Sequence, residues 1–260
     1  MLTLWTLKIV LTPILIGLIT LAARKWGPGI GGTLAGLPLT SGPVSVFLAL
    51  EQGDAFAAHA ASSTLLGLIG VAIFCAVYAL CSLRFSWPVC VLIATCALIF
   101  QNVLTIRLQP ALALSFVCVL GAILIARIGI VAMVRREARD QIPERAFPKW
   151  DIVLRMVITA LVVGLLTAAA ARLGPQLTGL ISPWPVVVCI VGAFVHAHAG
   201  GTAARLVLKG ALTGSIAFAT FFVIVAGTIT SLGKAGCYLL ATAGALLLAT
   251  AFQKSRLNAG

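Results

Sequence analysis

The amino-acid sequence predicts an all-α polytopic membrane protein of about nine transmembrane helices, arranged as a 4+1+4 inverted-topology repeat with two discontinuous helices. Three observations predict it. Of 260 residues, 61% are hydrophobic and only 9% charged, against roughly 45–50% and about 25% in soluble domains. Apolar stretches of about 20 residues, each long enough to span a hydrocarbon core, recur along nearly the whole chain. The chain also repeats itself at an offset of 147 residues.

The spans read as about 3–23, 28–50, 57–82, 86–105, 110–133, 152–171, 176–198, 204–229 and 234–252. Charges and turn formers separate most of them: Arg24-Lys25-Trp26-Gly27-Pro28, Glu51-Gln52-Gly53-Asp54, Arg84, Arg107 with Pro110, and Gly200-Gly201. The one sizeable polar stretch, 135–151, divides the chain. Residues 1–109 form the first four-helix repeat and 110–134 a connecting fifth helix. A basic loop follows over 135–151, then the second repeat with a short tail over 152–260.

Basic residues orient the spans. With nine crossings, Lys8, Arg107, Arg172 and Lys234 fall on one face and the other fourteen Lys and Arg, Arg127 and Arg155 among them, on the opposite one. Cytoplasmic loops carry the excess of Lys and Arg. The 135–151 loop and the C-terminus are therefore expected in the cytoplasm and the N-terminus outside. The formal charge of +12 belongs to this bias, and nucleic acid is not an expected partner.

The repeat aligns about 7–104 with 154–251 without a gap. Lys8 falls on Arg155, Gly17 on Gly164 and Lys25 on Arg172; Gly27-Pro28 meets Gly174-Pro175, and Pro38 meets Pro185. Phe47 meets Phe194, Gly53 meets Gly200, and CVLIAT at 90–95 meets CYLLAT at 237–242. Gly, Pro and basic positions held in one register point to duplication. Residues 7–25 have a counterpart in mid-chain, so they read as a span rather than a cleaved signal peptide. The second copy starts five crossings after the first, an odd number, so the copies are expected upside down to each other, as in many secondary transporters.

The stretch GPGIGGTLAGLPLTSGP, 27–43, places its breakers inside a span, and LGPQLTGLISPWPVVVC, 173–189, does the same in the second copy. A proline removes one N–H and frees the carbonyl four residues earlier, and in hydrocarbon each such group needs a partner. Paired interruptions in an inverted repeat point to a midplane binding site. The expected substrate-binding residues are Gly36, Pro38, Thr40, Ser41 and Gly42 with Ser182, Pro183, Trp184 and Pro185. The plainer reading is two proline kinks that only shape packing. Gly32-x-x-x-Gly36 and Gly210-x-x-x-Gly214 read as close helix contacts.

Other chemistry is sparse. The six acids, Glu51, Asp54, Glu137, Asp140, Glu144 and Asp151, all lie at span ends or in loops, which speaks against a carboxylate-coupled cation exchanger. Seven cysteines lie in apolar stretches without a CxxC pair, so neither a zinc site nor a disulfide framework is expected. His196 and His198 read as a polar span end rather than a metal site, and Lys8 and Arg155 as snorkelling to opposite interfaces. No catalytic set, cofactor motif or metal ligand group is recognisable, so no enzyme is expected.

Gly179-Leu180-Ile181-Ser182-Pro183-Trp184-Pro185, followed by AARLVLKGALTG at 203–214, resembles the GlpM-type inner-membrane proteins, single four-span units with a G-L-I-x-x-aromatic-Pro motif. The first copy keeps Gly32 and Pro38 of that motif and carries Leu37 at the aromatic position. The resemblance implies an inner-membrane protein linked to bacterial cell-envelope polysaccharide production. The function expected from the residues is transport of a small anionic or neutral solute by alternating access. The alternative is a non-transporting scaffold or accessory subunit for envelope biosynthesis. The expected partners are the lipid bilayer and a small solute, with a second copy of the chain or an envelope-biosynthesis protein left open.

Overall fold

Leucine, alanine, valine and isoleucine build the helices of this chain, and glycine forms several of the joints between them. The computed structural model describes residues 2–105, 108, 110–137, 151–162, 165 and 184–257. Within these, α1 runs Leu2–Trp26, α2 Pro28–Ala35, α3 Ser41–Gln52, α4 Asp54–Cys81, α5 Trp87–Thr105 and α6 Leu112–Glu137. Helix α7 covers residues 151–162, and α8 runs Val186–Leu257. No strand occurs among the described residues.

Helix α8 is not one rod. Its 72 residues include two with non-helical backbone, Gly200 (φ 84, ψ 175) and Gly233 (φ 67, ψ 173). They divide it into arms α8a (186–199), α8b (201–232) and α8c (234–257). Gly27 (φ 91) turns α1 into α2, and Gly53 (φ 88) turns α3 into α4. A side chain at such a φ would be strained, so a single glycine makes each helix-to-helix joint possible. Among the described residues four helices are long and apolar enough to cross a membrane: α4, α5, α6 and the jointed α8.

Arm α8b is the hub. Against it α2 packs backbone to backbone: a Cβ at Gly32 would overlap the Val207 carbonyl, one at Gly36 the Ala211 carbonyl, and one at Gly210 or Gly214 the carbonyls of Gly29 or Thr33. The glycine pairs read as close contacts from their spacing thus meet each other's helices, as small-residue seams do. Helix α4 contributes Leu65, Leu68, Phe74 and Tyr78 to a buried core that also holds Leu208 and Leu212 of α8b.

The outside is apolar. Phe100 is 66% exposed, Ile125 74%, Leu239 73% and Leu247 71%, while Asp151, Arg155 and Arg205 are at most 5% exposed. That inverts the usual order of a soluble protein, which keeps its charges out and limits its apolar patches.

Two features depart from the sequence-based expectations. Helix α6 continues into the basic segment through Glu137, and Asp151 at the segment's other end is helical. Arg155 does not snorkel. It is 1% exposed, its Nη2 lies 3.0 Å from Asp151 Oδ2, and its guanidinium sits 4.7 Å from the centre of the Phe194 ring. A carboxylate one turn earlier and an aromatic face opposite hold the cation inside.

Candidate functional site

The interruption at 36–40 is built from local bonds. Gly36 closes α2, its N–H reaching the Gly32 and Thr33 carbonyls at 3.0 and 3.2 Å. The chain then makes a tight turn about Pro38, with Leu39 N–H donating to Leu37 O at 2.8 Å. A bond two residues back is a γ-turn, and the fixed φ of proline suits its centre. Gly42 N–H donates to Pro38 O at 2.8 Å and starts α3. Pro43 sits in the first turn of α3, where its missing N–H costs nothing.

Around this turn the side chains of the expected site take distinct places. Gly36 lies on the α8b backbone and Gly42 is buried beneath the Phe221 ring, 3.5 Å from the position of a Cβ. Thr40 precedes α3 without capping it through its side chain, and Thr40, Ser41 and Pro38 are half-buried. One turn into α3, Ser45 Oγ and Tyr238 Oη share a hydrogen bond of 2.9 Å, and the Tyr238 ring lies 6.2 Å from Phe221. A buried hydroxyl pair one turn beyond the interruption is the part of the site that no sequence motif marked.

Of the second group, Ser182 and Pro183 lie outside the described residues. Trp184 is half-buried and Pro185 buried. Val186 N–H donates to Trp184 O at 2.7 Å, and Cys189 N–H to Pro185 O at 2.7 Å. These repeat the bonds about Pro38 one for one. No hydrogen bond or ring contact among the described residues joins Trp184 or Pro185 to the group at 36–42.

The histidines part company. His196 Nδ1 and Tyr78 Oη lie 3.2 Å apart, whereas His198 Nδ1 bonds the Phe194 carbonyl at 2.9 Å. Among the described residues no three His, Cys, Asp or Glu side chains gather as metal ligands would.

Three charged contacts tie the halves of the chain together. Arg24 Nη2 meets Asp151 Oδ2 at 3.0 Å beside Arg155. Asp54 Oδ1 meets Lys234 Nζ at 3.0 Å. Arg205 Nε donates to Ala79 O at 2.8 Å and to Ser82 Oγ at 3.1 Å, which caps the carbonyl end of α4 with a cation.

A further cation lies within a single helix. Arg127, counted in the sequence with the cytoplasmic residues, lies inside α6, and its Nε donates to Thr213 Oγ1 of α8b at 3.2 Å. Ten residues separate it from Glu137, so it stands about 15 Å from that end of α6 at 1.5 Å per residue. The signal was available: Arg127 interrupts LALSFVCVLGAILIARIGIVAMV at 112–134, and a charge inside an apolar span is a functional mark.

Fold and site together define a helical protein with apolar helices of membrane-crossing length and a proline-centred interruption packed on α8b. Among known proteins, no family model, no curated protein and no solved structure matches the chain.

Proposed function

We propose that the protein is a secondary transporter of a small anionic or neutral solute in the bacterial inner membrane. It works by alternating access around the interruptions at Pro38 and Pro185. The chain crosses the bilayer nine times as a 4+1+4 inverted repeat, with the N-terminus outside and the C-terminus cytoplasmic.

The observation that carries this reading is the recurrence of local geometry at the 147-residue offset. Leu39→Leu37 and Gly42→Pro38 bonds of 2.8 Å correspond to Val186→Trp184 and Cys189→Pro185 bonds of 2.7 Å. Gly53 (φ 88, ψ 171) corresponds to Gly200 (φ 84, ψ 175). This shared geometry about Pro38 and Pro185 supports an inverted-repeat transporter, where helix breaks face each other near the midplane.

The long-range contacts agree with the nine-crossing count. It assigns Asp54 and Lys234 to the outer side, and the two are bonded. It assigns Arg24 and Asp151 to the inner side, and they too are bonded. The apolar exterior supports a lipid surround. The resemblance to GlpM-type proteins favours the inner membrane.

The test is uptake into proteoliposomes made with the full chain, across a panel of small anions, neutral polar molecules and organic cations. Saturable accumulation of an anion or neutral solute is expected. Uptake of an organic cation alone, or of nothing in the panel, would overturn the reading.

A further inference from the structure

We infer that the seam between α6 and α8b holds a binding station for an oxyanion group, a carboxylate or a phosphate, with Arg127 as its counter-charge and Thr213 beside it. This rests on the transporter reading in one respect: it makes the anion the solute that is carried.

Position is the first argument. Leu112 lies against Gly227 and Arg127 against Thr213, so α6 and α8b run antiparallel and Arg127 is level with residue 213. Thr213 is twelve residues into α8b from Gly201, or about 18 Å at 1.5 Å per residue. The Gly36 end of α2 lies at the same level, since Gly36 touches Ala211 and Gly214. Arg127 and the interruption at 36–40 therefore flank α8b at one depth, on different faces.

Charge is the second. Among the described residues Arg127 meets no carboxylate, and its bond to Thr213 is to a neutral hydroxyl and uses Nε alone. A guanidinium presents five N–H donors in a planar fork that matches carboxylate and phosphate. Such a cation inside a span is costly and belongs to a bundle interior or a solute path. Around it, Ile123, Ala126 and Ile130 are buried while Leu124, Ile125 and Ile128 are exposed, which puts Arg127, itself half-buried, on the flank that turns to α8b.

Approach is the third. Arg205, Lys209 and Thr213 follow one another at four-residue steps on α8b, and Thr213 Oγ1 also donates to the Lys209 carbonyl at 3.0 Å. Two cations on α8b, Arg205 and Lys209, thus precede the level of Thr213 and Arg127 at intervals of about one turn. Basic positions in that order raise the local concentration of an anion along the seam.

The experiment uses the full chain in phosphatidylcholine nanodiscs, with thermal unfolding read from tryptophan fluorescence. The probes are inorganic phosphate, acetate and succinate, with methylammonium and glucose as controls. At least one oxyanion is expected to raise Tm. Arg127→Gln should weaken its apparent affinity by about tenfold or more, and Arg127→Lys, which keeps charge and loses the fork, by less. Thr213→Val should weaken it several-fold, and Arg84→Gln, an exposed arginine, should leave it unchanged. No shift with any oxyanion, or an equal shift in Arg127→Gln, would overturn the station. So would stabilisation by phosphatidylglycerol alone, since Arg127 would then be a lipid's counter-ion. Uptake separates the two readings: oxyanion binding through Arg127 without transport removes the transporter and keeps the station. Transport that Arg127→Gln leaves intact does the reverse.

Discussion

Gly36 and Gly214 show how little room single positions have. A Cβ at either would meet backbone of the facing helix, and backbone cannot swing aside. Gly36→Val or Gly214→Val should therefore force α2 off α8b and cost upward of about 1–3 kcal/mol. Gly121→Ala, where a Cβ meets nothing within 4 Å, should be close to neutral. Thermal unfolding in detergent would compare them; equal effects at all three would contradict the packing. At the interruption itself, Thr40→Val and Ser41→Ala should lower uptake more than Thr33→Val. The Thr33 hydroxyl only doubles a helical bond to Gly29 O, whereas the other two lie half-buried where the turn about Pro38 passes into α3. A lost hydrogen bond of about 1 kcal/mol corresponds to a several-fold change in rate. Equal, small effects at all three positions would favour a kink that only shapes packing.

Among elements, the joint between α1 and α7 rests on a charge cluster that the sequence hid. Asp151 is fully buried between Arg24 and Arg155. Asp151→Asn would strand Arg155 in the core, and breaking a buried pair from one side costs about 3–5 kcal/mol. A stability loss under about 1 kcal/mol would contradict the pairing. The helices themselves were legible, because apolar runs and the breakers at 27–28, 36–43, 53 and 200 are local signals. What was not legible is which charge meets which. Arg24 and Asp151 are 127 residues apart, and only a packed fold brings them together. Arg155 was expected to reach an interface because its three-methylene stem permits it; the Phe194 ring and Asp151 offer partners nearer by. Arg127 is a different failure, since its place inside an apolar run was already visible and was folded into a charge count. Removing it from that count leaves the inner-side bias intact. The hydroxyl pair of Ser45 and Tyr238 left no trace, as neither residue stands out in its own helix.

For the whole molecule, the proposed inverted repeat would make matched positions energetically alike and topologically opposite, and both consequences can be measured. Gly53 and Gly200 share φ and ψ in a region that only glycine occupies readily. Gly53→Ala and Gly200→Ala should therefore each cost about 1–3 kcal/mol and lower Tm by similar amounts; a large loss at one and none at the other would break the correspondence. The topological half of the argument starts from Gln52 and Ala199, which precede those glycines and lie 147 residues apart. Gln52 is exposed and Ala199 half-buried. In the proposed arrangement five crossings separate the copies, which would place Gln52 outside with the bonded pair of Asp54 and Lys234, and Ala199 inside with Arg205 and Ser82. In a background with the seven native cysteines replaced, Gln52→Cys should react with a membrane-impermeant maleimide on intact cells. Ala199→Cys should react only after the inner membrane is opened. A dual, parallel duplication would put both cysteines on one face, and labelling of both in intact cells, or of neither, would dismiss the inverted arrangement together with the alternating-access mechanism built on it.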